Sequence, residues 1–452
     1  MPENDAPPDE QDGAIAEWLT SELGGTVRSI RRQPRWRPVW FVELERDGEA
    51  VELCVRGHRT DTALVFPLEH EMRFQSVLEE HGIPVPAVHG WIPSVGAFVM
   101  DAVPGRPDFD DTDGDERDAI VDQYLQTLAR LHSLPVGSFA EAGIVRAAQP
   151  TESATIGMEQ FERLYRAQKN RPDPLMEFGL GWFHRHPPRS QGREGPVVWD
   201  SGQFHHHGGQ LIALIDLELG HVGDPMMDLA GWRMRDSVIP FGDFSAHYDR
   251  YAALTGTPVD LEAVQLHHFA FTMSNQLSFS HRLRNPQPDT DLMTYMQWCN
   301  ETNLYVTDFL GEYLDLELPE VDVPEPRPGA AGAAHHHLVR SLRSIQVDAA
   351  FARYRLRIAF RLAAHLERVN EIGAAVESSD LDDLEQLFGH RPETWLDGEA
   401  ELERFVLADA TIGRHDEVLI GVLHKRNLRA QMLNGAPGSA MTRHNPIQRF
   451  HT

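Results

Sequence analysis

The sequence contains little cysteine and no long apolar run. Its 452 residues include two cysteines, Cys54 and Cys299, which lie far apart and lack the C-x-x-C spacing of zinc and redox sites. This usage excludes a disulfide framework and a cysteine-rich zinc site, and it favours a reducing, cytoplasmic location. No apolar run reaches the roughly 20 residues that a membrane-spanning helix needs, so we expect no membrane segment.

Basic residues are also scarce. The chain carries 41 lysines and arginines against 69 aspartates and glutamates, which gives a formal net charge of -28 at pH 7. Proteins that bind nucleic acid or anionic membranes in general need a basic surface, and this charge argues against both partners. A local exception is the cluster of Arg31, Arg32, Arg35 and Arg37, where a small anionic substrate could still bind.

The order of predicted elements indicates several structural units. Residues 14–103 are predicted to form a helix, three strands, a second helix and two strands, with Asp47-Gly48 as a hairpin turn. Residues 104–316 are predicted to be largely helical, with a loop and a hairpin at 197–217. The remaining segments are a disordered leader at 1–13, a Pro-, Gly- and Ala-rich linker at 317–335, a helical extension at 336–434 and a loose tail at 435–452.

Two aspartates mark the segment WDSGQFHHHGGQLIALIDLE, residues 199–218. Asp200 lies in a loop, Asp216 follows a predicted strand, and the hairpin between them folds the second back towards the first. Phosphoryl transfer from a nucleotide uses such a pair: one carboxylate orients the acceptor hydroxyl and takes its proton, while the other helps to hold magnesium against the phosphates. Aspartates in loops more often cap helices or form turns, so this pattern alone is weak.

The three adjacent histidines, His205 to His207, suggest a different chemistry, a zinc or nickel site in a metal-dependent enzyme. Successive residues of a strand point to opposite faces, so three in a row cannot all bind one ion from a regular hairpin. We therefore interpret them as a surface run beside the turn, and we interpret His335 to His337 in the same way.

The segment LIALIDLELGHVGDPMMDLA, residues 211–230, resembles one in aminoglycoside-phosphotransferase-like and choline-kinase-like small-molecule kinases. Three other stretches are similar to the same family: LEHEMRFQSVLEEHGIPVPAV, AFVMDAVPG and LARLHSLP. The resemblance covers about residues 20 to 310. It implies an α+β, two-lobed, protein-kinase-like fold, with a small five-stranded antiparallel N-lobe at 14–103, a mostly helical C-lobe at 104–316 that holds the catalytic loop, and a helical C-terminal extension.

The resemblance assigns Asp200 to the catalytic aspartate that orients the acceptor hydroxyl, and Asp216 to a magnesium ligand. The second ligand of the family, an asparagine, has no direct counterpart. Its place falls to Gln203 if the loop is shortened, or to His205 if the five-residue spacing from Asp200 is kept. We favour Gln203, because an amide oxygen suits magnesium better than an imidazole does. Asp224 is expected to cap a helix and to tether the catalytic loop.

Nucleotide contacts are implied on the N-terminal side. Arg56 matches the lysine that pairs with the phosphates, and Glu71 matches its partner on the helix. The hinge whose backbone reads adenine is matched by Met100, Asp101, Ala102 and Val103.

The chain departs from the family at two motifs. The catalytic loop begins Val-Trp-Asp instead of His-Gly-Asp, and the turn that covers the phosphates, QPRWRP at residues 33–38, has no glycine. Without glycine the backbone approaches the phosphates less closely. Arg35 and Arg37 could compensate through their side chains, or bind a different anion.

These assignments imply a phosphotransferase that uses ATP and Mg²⁺ to phosphorylate a hydroxyl group of a small molecule. The stretches ALVFPLE and LEHE resemble the branch found with acyl-CoA-dehydrogenase-like proteins, which favours a hydroxyacyl-CoA or another catabolic alcohol as acceptor. The alternative is a catalytically weak or inactive kinase-fold protein that binds a ligand and scaffolds a partner. The C-terminal helical extension is a candidate surface for oligomer formation.

Overall fold

A computed structural model describes residues 10–59, 62–327 and 329–449. The N-terminal part is a five-stranded antiparallel sheet in the order β1-β2-β3-β5-β4, flanked by two helices. Its elements are α1 (Glu10–Glu22), β1 (Thr26–Arg32), β2 (Val39–Arg46), β3 (Glu49–Gly57), α2 (Leu68–Glu80), β4 (Val88–Ile92) and β5 (Ala97–Asp101).

Local sequence explains how this sheet is built. Asp47 and Gly48 have φ angles of 55° and 85°, which a two-residue hairpin turn requires, and the predicted hairpin is confirmed. On one face of the sheet Trp40 and Val55 pack against α1. Because side chains alternate along a strand, Arg56 lies on the opposite face.

The residues that follow are mostly helical and contain two small sheets, in which β6 pairs with β9 and β7 pairs with β8. The Gly208-Gly209 turn, with φ angles of 55° and 72°, joins β7 to β8. The elements of this region are α3 (Gly114–His132), α4 (Val136–Glu141), α5 (Ile156–Gln168), α6 (Pro174–Arg185), β6 (Gly195–Val197), β7 (Phe204–His207), β8 (Gln210–Leu214), β9 (His221–Gly223), α7 (Met226–Arg235), α8 (Phe244–Thr255), α9 (Leu261–Thr272), α10 (Ser274–Arg284) and α11 (Leu292–Tyr313).

The regular elements of the C-terminal part are helices. It contains α12 (Gly332–Ser344), α13 (Ala350–Phe388), α14 (Trp395–Asp409) and α15 (Asp416–Leu433). The predicted α+β class, with a five-stranded antiparallel sheet, a mostly helical remainder and a helical C-terminal extension, is thereby confirmed. No helix among the described residues is long and apolar enough to cross a membrane.

By packing, the chain divides into two compact units. The first contains the described residues up to Gln160, Pro188–His268 and the residues from Asn445, and the second contains Phe161–Pro187 and Phe269–His444. The boundary predicted at residue 316 does not coincide with this division. The reason is that α11 packs with α15 inside the second unit, where the Asn427 side chain donates to the Asn303 carbonyl at 2.7 Å.

The segments predicted to lack structure also differ in part. Residues 1–9 of the predicted leader lie outside the described residues, but 10–13 are helical, because burial of Ile15 and Leu19 on the sheet stabilises the first turn of α1. Helix α12 begins at Gly332, inside the predicted linker. In the predicted loose tail, Gln448 donates to Asp236 at 2.9 Å and to the Gly242 carbonyl at 2.6 Å, which fixes it on the first unit.

Candidate active site

The loop that carries Asp200 is held by a buried carboxylate of α7. Asp228 is fully buried and accepts hydrogen bonds from the backbone N–H groups of Val198, at 3.1 Å, and Trp199, at 2.6 Å. His132 Nε2 lies 2.9 Å from the same carboxylate, and His132 Nδ1 lies 2.7 Å from the Tyr251 hydroxyl. This chain of buried polar groups connects α3, α7 and α8 to the loop, and it fixes the residues just before Asp200.

The tether predicted for Asp224 is therefore made by Asp228. Asp224 accepts from the Met226 N–H at 3.1 Å, as the predicted helix cap requires, and pairs with Arg193 at 3.0 Å. Trp199 has a φ of 59°, a left-handed conformation that costs energy in a bulky residue. The two hydrogen bonds that the backbone N–H groups of Val198 and Trp199 donate to Asp228 act against that cost.

Asp200 itself has a polar partner on each oxygen of its carboxylate. Arg235, the last residue of α7, donates to Oδ1, and the side-chain amide of Gln203 donates to Oδ2 at 2.8 Å. Burial raises the pKa of the Asp200 carboxyl, and the nearby Arg235 opposes that shift. The carboxylate is thus placed at the loop surface and held by two donors.

The β7-β8 hairpin brings Asp216 beside Gln203. The Gln203 carbonyl accepts from the Ile215 N–H at 3.0 Å, one residue before Asp216. Asp216 has a φ of 58° and accepts a hydrogen bond from Arg56. Burial acts to raise its pKa, but Arg56 and Arg37 hold the pKa of Asp216 below its usual range. Of the two candidates for the second magnesium ligand, the hairpin places Gln203 next to Asp216.

The arginines predicted to bind phosphate form one network of ion pairs with nearby carboxylates. Arg56 Nε lies 2.8 Å from Glu71 Oε1, and Arg56 also contacts Asp216. Arg37 pairs with Glu218 and lies 3.8 Å from Glu71 Oε2. Sheet, helix α2 and the segment after the hairpin are therefore joined by alternating charges.

The glycine-free turn at 33–38 is ordered by an aromatic side chain. The guanidinium carbons of Arg35, Arg37 and Arg59 lie 4.8, 5.2 and 3.9 Å from the centre of the Trp36 ring. Guanidinium groups stack favourably on aromatic faces. Burial lowers the pKa of Arg35, and Asp216 acts in the opposite direction. In this glycine-free turn the cationic groups are therefore arginine side chains that stack on Trp36.

The predicted hinge lies at the end of β5. The Asp101 N–H donates to the Ala87 carbonyl at 3.0 Å, and the Ala102 N–H donates to the Glu52 carbonyl at 3.1 Å. These two donors are already used within the protein. Met100 is within β5, and Val103 follows the strand.

Two of the three histidines of the hairpin, His205 and His206, contact the segment after the hinge. His205 Nδ1 lies 3.1 Å from the Pro104 carbonyl, and His206 Nε2 lies 2.7 Å from the Asp108 carbonyl. The expected surface run is wrong for His206, which is buried because its ring stacks on Phe109. Within the described ranges, no group of three or more His, Cys, Asp or Glu side chains is arranged to hold a metal ion.

Sequence reasoning missed two residues that contact the catalytic loop. Arg235 was not singled out, although it follows Asp228 by seven residues, a spacing of about two helical turns that places both on one face of α7. Tyr124 of α3 lies 2.5 Å from Ser201 Oγ and accepts from the Gly202 N–H at 2.6 Å. No local sequence signal marks Tyr124, because its role depends on the packing of α3.

An amide oxygen of Gln203 and the carboxylate of Asp216 are hard donors of the kind that magnesium prefers. The backbone bond between Gln203 and Ile215 brings Gln203 and Asp216 side by side, and they are the residues that would hold such an ion. Asp216 and Glu218 are each paired with an arginine in the structure. If a magnesium ion bound here together with an anionic ligand, the carboxylates would turn to the metal and the arginines to the anion, so that new ion pairs would replace the present ones.

Residues 32–264 match the model of a family described as the phosphotransferase enzyme family. Among curated proteins, the chain is similar to acyl-CoA dehydrogenase family member 11 of Rattus norvegicus, with 30% identity over 212 residues that make up 44% of this chain and 27% of that protein. It is also similar to family member 10 of Mus musculus, with 28% identity over 212 residues, 43% of this chain and 19% of that protein. The matched part is therefore a minor share of these relatives.

Solved structures also resemble the chain. A choline kinase from Streptococcus pneumoniae has a TM-score of 0.47 and 15% identity, with 68% of this chain and all of that chain covered (100%). A macrolide 2'-phosphotransferase from Brachybacterium faecium has a TM-score of 0.45 and 17% identity, with 61% of this chain and 93% of that chain covered.

Proposed function

Because the chain belongs to the phosphotransferase enzyme family, we propose that it transfers the terminal phosphoryl group of ATP to a hydroxyl of a small molecule, with Mg²⁺ as cofactor. The observation that carries this proposal is the placement of two acids. Asp200 lies on a tethered loop, and the hairpin brings Asp216 next to Gln203.

The cationic side chains of the N-terminal part are suited to the phosphates. In this proposal Arg56, Arg35 and Arg37 bind the phosphate oxygens, and Glu71 keeps Arg56 in place through the 2.8 Å pair. Arginine forms paired hydrogen bonds to phosphate, so its side chains can replace the backbone contacts of a glycine-rich turn. The Trp36 stack would restrict the side chains of Arg35 and Arg37 before the nucleotide binds.

Adenine would bind at Met100 to Val103. Since the N–H groups of Asp101 and Ala102 already donate within the protein, its recognition would depend on the carbonyl groups of the hinge and on Val103. This hinge therefore differs from one in which every backbone N–H group is free to donate to adenine.

At the reacting end, Asp200 would orient the acceptor hydroxyl and take its proton. Burial raises the pKa of Asp200, with Arg235 opposing, which makes the carboxylate a better base than one in water. Asp216 and Gln203 would hold magnesium, which supplies positive charge against the phosphates. Tyr124 and Asp228 would keep the loop in position.

The acceptor that we propose is a hydroxyacyl-CoA or another catabolic alcohol. The curated relatives are named as acyl-CoA dehydrogenase family members, which supports an acceptor from acyl-group catabolism. We also propose a cytoplasmic location, since Cys54 and Cys299 are buried free thiols and a reducing compartment preserves such groups.

A second candidate is a catalytically weak or inactive protein of this family that binds a ligand and scaffolds a partner. It is favoured by the glycine-free turn and by the pairing of Asp200, Asp216 and Glu218 with arginines. Each pair must separate before a metal ion or an acceptor can bind.

Nucleotide titration separates the two candidates. We expect Mg·ATP to raise the thermal midpoint of the wild type, D216N to lose the magnesium-dependent part of binding, and D200N to keep binding. The absence of any shift at millimolar Mg·ATP would contradict the phosphotransferase proposal. The exposed Asp122, which pairs with Arg250, provides the matched control variant D122N.

Turnover is then measured by ATP consumption against a panel of hydroxylated acceptors. We expect D200N to abolish consumption without loss of nucleotide affinity. A D200N variant that consumes ATP as the wild type does would remove Asp200 from the mechanism. Binding of Mg·ATP without consumption for any acceptor would support the scaffold candidate.

A further inference from the structure

The proposed reaction depends on the carboxylate of Asp200, and Arg235 already binds that carboxylate. Arg235 donates to Oδ1, and Gln203 donates to Oδ2 at 2.8 Å, so both oxygens of the carboxylate have a partner. An acceptor hydroxyl that donates to Asp200 must therefore compete with one of them. The side chains of Asp200 and Arg235 are 23% and 24% exposed, so a small solute can reach this pair.

The two donors bind different oxygens of the Asp200 carboxylate and come from different elements of the fold. Gln203 is on the hairpin side, where its carbonyl bonds to the residue before Asp216. Arg235 reaches the other oxygen, Oδ1, from the C-terminal end of α7. In-line transfer places the acceptor and the leaving group on opposite sides of the phosphoryl group. If the nucleotide binds on the Asp216 side, the acceptor enters on the α7 side and meets Arg235.

Arg235 is held in place by its aliphatic part. A Cβ atom at Gly202 would lie 3.2 Å from Arg235 Cγ, so the side chain passes closely over the catalytic loop. A guanidinium group in a partly buried site needs an anionic partner, and leaving it without one is costly. When an acceptor hydroxyl binds Asp200, Arg235 therefore needs a replacement for the oxygen that it gives up.

We propose that Arg235 binds an anionic group of the acceptor, a carboxylate or a phosphate, and thereby releases Asp200 to the acceptor hydroxyl. This inference rests on the proposed phosphotransferase function. A hydroxyl at about 2.7 Å from Asp200 and an anion at about 2.8 Å from Arg235 would lie only a few ångströms apart. Of the acceptors proposed above, this narrows the class to alcohols that carry their own anion, namely a hydroxy acid or a hydroxylated phosphate ester whose two groups are separated by a short chain, and it excludes a hydroxyacyl-CoA, whose thioester is neutral.

Binding of matched probes tests this assignment. The pairs are 3-hydroxybutanoate with 1,3-butanediol, and glycerol 3-phosphate with glycerol, each titrated calorimetrically into the full chain in saturating Mg·ADP. We expect at least one anionic probe to bind the wild type at least tenfold more tightly than its neutral partner. The pair that shows the preference identifies the anion as a carboxylate or a phosphate.

Variants of Arg235 test whether this residue causes the preference for anionic probes. R235Q is expected to abolish it, and R235K, which keeps the charge, is expected to restore part of it, an outcome that a purely structural role would not give. R250Q is the matched control, since Arg250 also pairs with an aspartate, Asp122, but on the surface. A wild type without preference for either anionic probe, or a preference that survives in R235Q, overturns the proposal.

The failure of this inference differs from the failure of the proposed function. Arg235 is not among the residues proposed to bind the nucleotide, so R235Q should bind Mg·ATP as the wild type does. A wild type that binds Mg·ATP but shows no anion preference refutes the role of Arg235 and leaves phosphotransfer standing. A protein that shows the preference but does not bind Mg·ATP retains the anion site and loses the kinase function.

Discussion

Replacement of Asp228 by asparagine tests whether the buried carboxylate holds the catalytic loop. Asp228 accepts two backbone N–H groups, at 2.6 and 3.1 Å, and lies 2.9 Å from His132 Nε2. A hydrogen bond to a charged group contributes about 1.5–3 kcal/mol. Asparagine keeps one acceptor oxygen, but its NH₂ group faces a second donor and cannot accept from it. We therefore expect D228N to destabilise the ordered loop at Val198 and Trp199 by about 3 kcal/mol, which raises the equilibrium constant for local opening by a factor of roughly 100.

Hydrogen-exchange mass spectrometry of the peptide that contains Val198 and Trp199 measures this opening directly. We expect exchange in D228N to be about 100-fold faster there than in the wild type, whereas the matched surface variant D122N should leave it unchanged. The reasoning is refuted if the loop peptide of D228N exchanges at the wild-type rate. Faster exchange over the whole chain would instead indicate global unfolding, and it would not support a local tether.

Three further predictions concern stability. Burial lowers the pKa of His221 to about 4, because the folded protein favours the neutral imidazole. Above the unfolded pKa of about 6.5 the imidazole is neutral in both states and protonation costs the folded protein no stability. As the pH falls from about 6.5 towards 4, protonation favours the unfolded chain, and the free energy of unfolding decreases by about 3 kcal/mol. Urea unfolding of the wild type should therefore depend more steeply on pH in this window than unfolding of H221Q, and equal slopes would contradict the shift. Q448A should increase hydrogen exchange in the loop at 236–243 about tenfold, because about 1.5 kcal/mol of hydrogen bonding is lost; unchanged protection would show that the C-terminal contacts are unimportant. G231A should lower the melting temperature, since an added Cβ would overlap the Trp199 carbonyl oxygen, whereas G137A, with open space at its Cβ, should not; equal melting temperatures would refute the close approach.

Much of the N-terminal fold could be predicted from local sequence. The Asp47-Gly48 hairpin and the individual strands follow rules of turn geometry and side-chain periodicity that act over a few residues. The assembly of the strands into one five-stranded antiparallel sheet was implied by the family resemblance, because β3 pairs with β5 across a long stretch of chain. The family resemblance is confirmed by the match at residues 32–264, because the stretch from Leu211 to Ala230 is continuous in the chain. The roles of Asp200, Asp216 and Gln203 remain predictions.

The chain's own sequence determined the candidates for the chemistry: a loop aspartate, a strand-end aspartate and a glycine-free turn that carries two arginines. Only the tertiary structure decided which groups these residues meet. It paired Asp200 with Arg235, placed Asp228 rather than Asp224 beneath the loop and buried His206. Such contacts join residues far apart in the chain, and they depend on how helices and strands pack, which no local pattern specifies.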